Sequence, residues 1–252
     1  WENEQAGVGV TPANFRLLTV RNSVEVFDGM QRVTLHYPNI DSLQGHGIHF
    51  RLILPCNPSR PPVWPVMGPN GAPVWPEGEE KLHARYITLK NIRADLQEVD
   101  IDIVHHDAGP VSQWACGAAA GDVVGAMGPT GMHRLPDARS YFIAADGTGL
   151  PAVAQFMSRL PADAVGDVVV ALPQTVDPLD YFPKSKLTLH VLPPHEFEAR
   201  VLDIAKDLTV PGKTDYGFFA GEFCNAQSLR GHFKKTLKLD KTSQISTAYW
   251  RR

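Results

Sequence analysis

Cysteine is scarce and scattered in this 252-residue chain: Cys56, Cys116 and Cys224 are its three. They are odd in number, far apart and never spaced as Cys-x-x-Cys, which argues against a disulfide framework and a thiolate zinc site. Long apolar runs are missing too, and none approaches the ~20 residues of a membrane span. Charge of one sign is not in excess. Lys and Arg number 24 against 27 Asp and Glu, a net charge of −3, so no global attraction to nucleic acid or acidic lipid is expected. There is no Gly-x-Ser-x-Gly nucleophile elbow and no six-residue glycine fingerprint of the classical dinucleotide fold. His46 and His49, or His105 and His106, lack the carboxylate or cysteine company of a metal site, and no metal is expected. The N-terminus shows no basic region followed by an apolar core. With unpaired thiols, a reducing cytoplasm is the expected compartment.

What is present is an ordinary globular mixture, 43% hydrophobic and 20% charged, in a chain long enough for two domains. The first half reads as short strands. Phe15 to Phe27 and Met30 to Tyr37 flank Asp28-Gly29, a strong hairpin signal. Ile48 to Leu54, Ala84 to Lys90 and Glu98 to His105 follow. Strands broken by turns and ending near Gly131 predict an antiparallel barrel. Residues 55–78 are crowded with proline and repeat Pro-Val-Trp-Pro at 62–65 and 73–76. They predict an extended surface loop without regular structure, its tryptophans anchoring it to the body. A flap setting Trp64 or Trp75 over a cofactor is the alternative.

After Pro136 the period changes. Ser140–Ala145 is a continuous apolar strand, and a helix with Val153, Phe156, Met157 and Leu160 on one stripe follows. Strands at 167–172, 186–192 and 216–220 alternate with helices at 196–208 and 222–237. This alternation predicts a parallel sheet covered on both faces. The expected domains are 1–135 and 136–252.

Two places carry site chemistry. In the stretch 84–131, a strand bearing Arg85 neighbours a strand, the glycine turn 107–110 and a short helix. A helix start after a glycine turn aims free N–H groups at one point, and an arginine beside it adds a two-pronged cation, a combination suited to phosphate. The second place is Gly147-Thr148-Gly149-Leu150-Pro151, again between a buried strand and a helix start.

These motifs resemble a known family. Arg85-x-Ile87-Thr88 is similar to the Arg-x-Tyr-Thr flavin strand of the siderophore-interacting proteins, and His105-x-x-x-Gly109-Pro110-x-Ser112-x-Trp114-Ala115 resembles their pyrophosphate segment. That family comprises FAD-dependent ferric-siderophore reductases related to ferredoxin–NADP reductases. Ile87 departs from the family tyrosine, and Tyr86 falls one place early, on the opposite face of a strand. The glycine loop looks like the Gly-Thr-Gly-x-x-Pro loop of ferredoxin–NADP reductases. Ala220-Gly221-Glu222 with Leu229-Arg230, and the ending Thr247 to Arg251, also resemble family patterns.

The resemblance implies a Greek-key flavin barrel followed by a nucleotide-binding α/β domain. It implies FAD contacts from Arg85, Tyr86, Ile87, Thr88, His105, Gly109, Val111, Ser112 and Trp114, and a nucleotide contact from Thr148. Tyr249 and Trp250 either lie against the flavin or pack on their own domain. Arg51, Lys90 and Arg134 are the expected basic patch for an anionic ferric siderophore. Lys234, Lys235, Lys238 and Lys241 read as a solvated helix end. The implied activity is reduction of ferric siderophores, with electrons from NADH, NADPH or a ferredoxin passing through FAD to iron. A general NAD(P)H:flavin or quinone oxidoreductase and a flavin-free siderophore-binding protein are the alternatives.

Overall fold

A computed structural model describes residues 12–43, 47–106, 109–130 and 138–252. Strands β1 (Phe15–Phe27) and β2 (Met30–His36) form the expected hairpin around Gly29, whose φ of 85° suits glycine. β3 (His49–Pro55) follows. The proline-rich segment then departs from expectation. It holds a minimal ribbon of β4 (Val66–Met67) and β5 (Pro73–Val74). Proline is tolerated there because a two-stranded ribbon has an unpaired edge on each side. Trp64 anchors the segment as expected, its ring 5.7 Å from that of Phe15.

β6 (Leu82–Arg93), β7 (Glu98–Val104) and β8 (Val123–Thr130) complete the first half, with helix α1 (Pro110–Gly117) between the last two. The six long strands close into a barrel in the order β1-β2-β7-β6-β3-β8, every pair antiparallel. Alternation fills it: Leu18, Val20, Val33, Leu35, Phe50, Leu52 and Leu54 point inward. α1 presses Val111 and Ala115 onto one end of that core. Each fully buried side chain of this size contributes ~1.5–3 kcal/mol relative to exposure.

The second half runs β9 (Ser140–Ala145), α2 (Leu150–Met157), β10 (Val165–Ala171), α3 (Pro178–Tyr181), β11 (Thr188–Leu192), α4 (Pro194–Leu208), β12 (Tyr216–Glu222), α5 (Phe223–Gly231) and β13 (Gln244–Trp250). The sheet order is β11-β10-β9-β12-β13, all parallel. β9 shows why its sequence is continuously apolar. Tyr141, Ile143 and Ala145 pack towards α2, whereas Phe142 and Ala144 pack towards α4 and α5. Two expectations change here. The helix foreseen to residue 237 leaves α-geometry at Gly231 and continues as a π-helical turn, His232–Thr236. The chain end, foreseen as a tail, is the fifth parallel strand. Its half-exposed, polar-rich face hides it from pattern reading.

The halves are tied by polar and apolar contacts. Met30 and Ile48 of the barrel join the core around α2, and Gln155 Nε2 donates to the Lys90 carbonyl at 2.8 Å. The Tyr181 hydroxyl donates to Asp102 Oδ2 at 2.7 Å. Asp102 in turn takes both prongs of Arg32, at 2.7 and 2.8 Å. A buried carboxylate held this way is compensated on both oxygens.

Candidate flavin cleft

A cleft of about 870 Å³ opens between barrel and sheet, within the ~300–1,000 Å³ usual for ligand sites. β6 supplies Arg85, Tyr86, Ile87 and Thr88, and the start of α1 supplies Gly109, Val111 and Ser112. The facing wall is Thr148 and Pro151 at the start of α2 and 247–250 of β13. Ten of the expected nucleotide contacts therefore share one cleft. Two helices open onto it, and they differ in charge.

The start of α1 carries no acidic residue and no side-chain cap. Its first N–H groups have no intrahelical partner, so Val111 and Ser112 present free donors. A Cβ on Gly109 would fall 1.9 Å from the ring of the exposed His106, so a side chain there would have to displace that imidazole. The His106 N–H donates to Ser112 Oγ at 2.9 Å and closes the turn. Arg85 is exposed on the neighbouring wall; its Nη1 reaches the Ala84 carbonyl at 3.1 Å, and among the described residues it has no ion pair. Free N–H groups beside an uncompensated guanidinium fit a pyrophosphate.

The start of α2 already contains an anion. Asp146 accepts from the Thr148 N–H at 2.8 Å and its hydroxyl at 2.6 Å, and from Trp250 Nε1 at 2.8 Å. A phosphate would meet that carboxylate, so α1 is the better phosphate seat. Gly149 is there for packing: a Cβ would lie 2.5 Å from the Ala220 carbonyl oxygen.

Tyr249 spans the cleft. Its hydroxyl lies 2.8 Å from His49 Nε2. Burial pushes the phenol up to about 12, with Asp146 adding and a Thr88 hydrogen bond opposing. The alternation expected at Tyr86 and Ile87 holds. Ile87 packs on the barrel core. Tyr86 turns outward, 67% exposed, with the Arg51 guanidinium 5.8 Å from its ring centre.

Four expected contacts are not on this cleft. His105 turns away from it, 3.3 Å from Gln31 Oε1. Neighbours at a strand end face opposite ways, and His106 takes the cleft position. Trp114 packs on the barrel core and does not line the cleft. Lys90 is buried against α3. Its Nζ donates to the Tyr181 carbonyl at 2.9 Å and lies 4.5 Å from that ring's centre. Burial, partly opposed by Asp102, lowers the Lys90 ammonium to about 8. Arg51 faces a different cleft, on the outer barrel wall. Arg134 lies outside the described residues. The three-residue basic patch is thus not assembled around Lys90. Neither Trp64 nor Trp75 lines the large cleft, so the flap alternative falls as well.

Sequence reasoning missed His49, His83 and His106 on the cleft wall. Alternation from His105 was the signal for His106. His49 becomes a neighbour of Thr88 only through pairing of β3 with β6, whereas His83 stands two residues before Arg85 on β6 itself, where strand alternation was the signal. His83 is held below the ordinary histidine range by burial and then by Arg85.

Known proteins share this arrangement. Residues 19–133 match the siderophore-interacting FAD-binding domain, and residues 138–252 match the siderophore-interacting protein domain. The ferric vibriobactin reductase ViuB of Vibrio cholerae is 25% identical over 245 residues, 94% of this chain and 89% of its own. The NADPH-dependent ferric-chelate reductase of Escherichia coli is 33% identical over 162 residues, 63% of this chain and 62% of its own. The crystal structure of the siderophore-interacting protein SipS from Aeromonas hydrophila superposes with a TM-score of 0.75 at 28% identity, covering 95% of this chain and 92% of the other. With both halves matched and the barrel, sheet and cleft in place, the chain belongs to the siderophore-interacting protein family, its first half an FAD-binding domain.

Proposed function

We propose that this chain is a flavin-dependent ferric-chelate reductase acting on ferric siderophores in the cytoplasm. The observation that carries the reading is the α1 start: free N–H groups directly after Gly109, beside the uncompensated Arg85, all on one cleft. In this reading Arg85 and the N–H groups of Val111 and Ser112 hold the FAD pyrophosphate. Thr88, Ile87, His49 and Tyr249 line the cleft beyond it. Bound FAD supplies the step between a two-electron donor and one-electron acceptors. The balance is NAD(P)H plus two Fe(III) giving NAD(P)⁺, two Fe(II) and one proton. No side chain need act as acid or base on the chelate. The protein's part is to orient, to exclude water and to keep Tyr249 as a neutral donor.

The relatives named for ferric vibriobactin and ferric chelates favour iron over quinone as acceptor, and the Escherichia coli relative's name favours NADPH as donor. The test is anaerobic mixing of FAD-loaded protein, NADPH or NADH, and a ferric siderophore, with Fe(II) captured by a chromogenic chelator. Donor-dependent Fe(II) appearance is expected. Reduction of quinones but of no ferric chelate would reject the reading.

A further inference from the structure

The large cleft continues along β6 beyond Arg85, as far as His83. We propose that the His83 ring packs against the adenosine half of FAD, and that this contact makes the site bind FAD more tightly than FMN; this rests on the flavin-binding part of the reading above. Three observations carry it.

First, the order of groups along the strand matches the order along the cofactor. Alternation sends Leu82 and Ala84 to the outer wall of the barrel, and sends His83 and Arg85 into the large cleft. With the pyrophosphate at Arg85 and the α1 start, the flavin ring lies towards Thr88, His49 and Tyr249. FAD is a chain of flavin, ribityl, two phosphates, ribose and adenine. In an extended cofactor the adenosine therefore leaves Arg85 on the side away from Thr88. His83 stands on that side, two strand residues or ~7 Å from Arg85. FMN ends at its single phosphate, so it reaches Arg85 and stops short of His83.

Second, the ring is partly buried and unengaged. Among the described residues it makes no hydrogen bond and no ion pair. Other histidines of the chain have partners: His190 Nε2 lies 2.7 Å from Asp167 Oδ1, and His232 Nε2 lies 2.8 Å from Thr209 Oγ1. Third, the ring is chemically suited to a base. Burial, and then the Arg85 guanidinium, hold the imidazole below the ordinary histidine range. At neutral pH it is a flat, uncharged surface beside a cation. Adenine is flat and uncharged as well, and bases stack on aromatic side chains, histidine included. The strand thus offers a charge where the cofactor has phosphate and a neutral ring where it has adenosine.

The test is fluorescence titration of the whole chain, its cofactor removed, with FAD and with FMN. Wild type should bind FAD the more tightly. His83→Ala should weaken FAD binding roughly tenfold, about 1.4 kcal/mol, and leave FMN binding unchanged. His83→Phe, which keeps a flat ring, should bind FAD nearly as wild type does. Arg85→Ala should weaken both cofactors, because each places a phosphate beside it. Unchanged FMN affinity in His83→Ala reports an intact cleft and separates a lost contact from a damaged fold. Equal wild-type affinity for the two cofactors, equal losses of both in His83→Ala, no loss of FAD, or no recovery in His83→Phe would overturn the proposal and leave the flavin site standing. A wild type that binds neither cofactor would reject the flavin reading, and this contact with it.

Discussion

The Tyr249 hydroxyl lies 2.8 Å from His49 Nε2, joining the last strand of the sheet to the third strand of the barrel. The phenol is pushed up to about 12, chiefly by burial, so it stays protonated through the physiological range. Tyr249→Phe keeps the ring and removes the hydroxyl's hydrogen bonds to His49 and Thr88. It should cost ~0.5–1.5 kcal/mol of stability for each bond and leave FAD in place. Tyr249→Ala should cost more and let solvent reach the flavin. Thermal unfolding and quenching of flavin fluorescence by iodide would check both. Equal quenching in Tyr249→Ala and wild type would show that this ring does not cover the cofactor.

Arg85 is the cation of the proposed pyrophosphate seat. Arg85→Ala should weaken FAD binding by roughly tenfold to a hundredfold, from ~1.5–3 kcal/mol of charge-assisted contact. His105→Ala is the informative companion, because that ring faces Gln31 and not the cleft. It should bind FAD as wild type does. Titration of apo-protein with FAD decides. A large loss from His105→Ala with none from Arg85→Ala would reverse the assignment.

Thr148 and Gly149 separate donor chemistry from folding. Thr148 lines the cleft opposite the flavin strand, and Thr148→Ala should slow reduction of bound flavin by NAD(P)H while FAD content is kept. Gly149→Val should fail at the level of the fold, since its Cβ meets the Ala220 carbonyl oxygen at 2.5 Å. Stopped-flow absorbance and circular dichroism give the two readouts. Unaltered flavin reduction in Thr148→Ala would place the donor elsewhere.

Lys90 predicts a pH dependence of stability. Its folded-state value of about 8 lies below the ordinary 10.5. Between those values the unfolded chain binds more protons, so stability should rise as pH climbs from about 8 towards 10.5. The gain is on the order of 3 kcal/mol across that window. Lys90→Met should flatten the rise relative to wild type in urea titrations at pH 8 and pH 10. An identical slope would mean that the ammonium is not buried against Tyr181.

The fold was legible because its core obeys simple periods. Leu18 and Val20, or Phe50 and Leu52, alternate as barrel strands must, and Ser140–Ala145 is apolar on both faces because α2 and α4 cover it. Arg85, Thr88 and Gly109 were legible because a strand cation, a glycine turn and a helix start are local features. What stayed hidden depends on long-range placement. A lysine reads as surface, yet Lys90 is covered by Tyr181, 91 residues away. His105 and His106 exchange roles on one residue of alternation. β13 has half-polar faces and a partner, β12, that no local pattern announces. The outer cleft is assembled by a proline-rich ribbon without periodicity, so nothing in the run 55–81 marks Trp75 and Lys81 as neighbours of Arg51.

The visible absorption spectrum of the purified protein, recorded before and after adding FAD and then anaerobically with NADPH and a ferric siderophore, bears most directly on the central claim. The account predicts the two-banded flavin spectrum at one FAD per chain, bleached by NADPH and restored by the ferric chelate as Fe(II) forms. A colourless protein that takes up no added FAD, yet still binds the chelate, would contradict it and identify a flavin-free siderophore carrier.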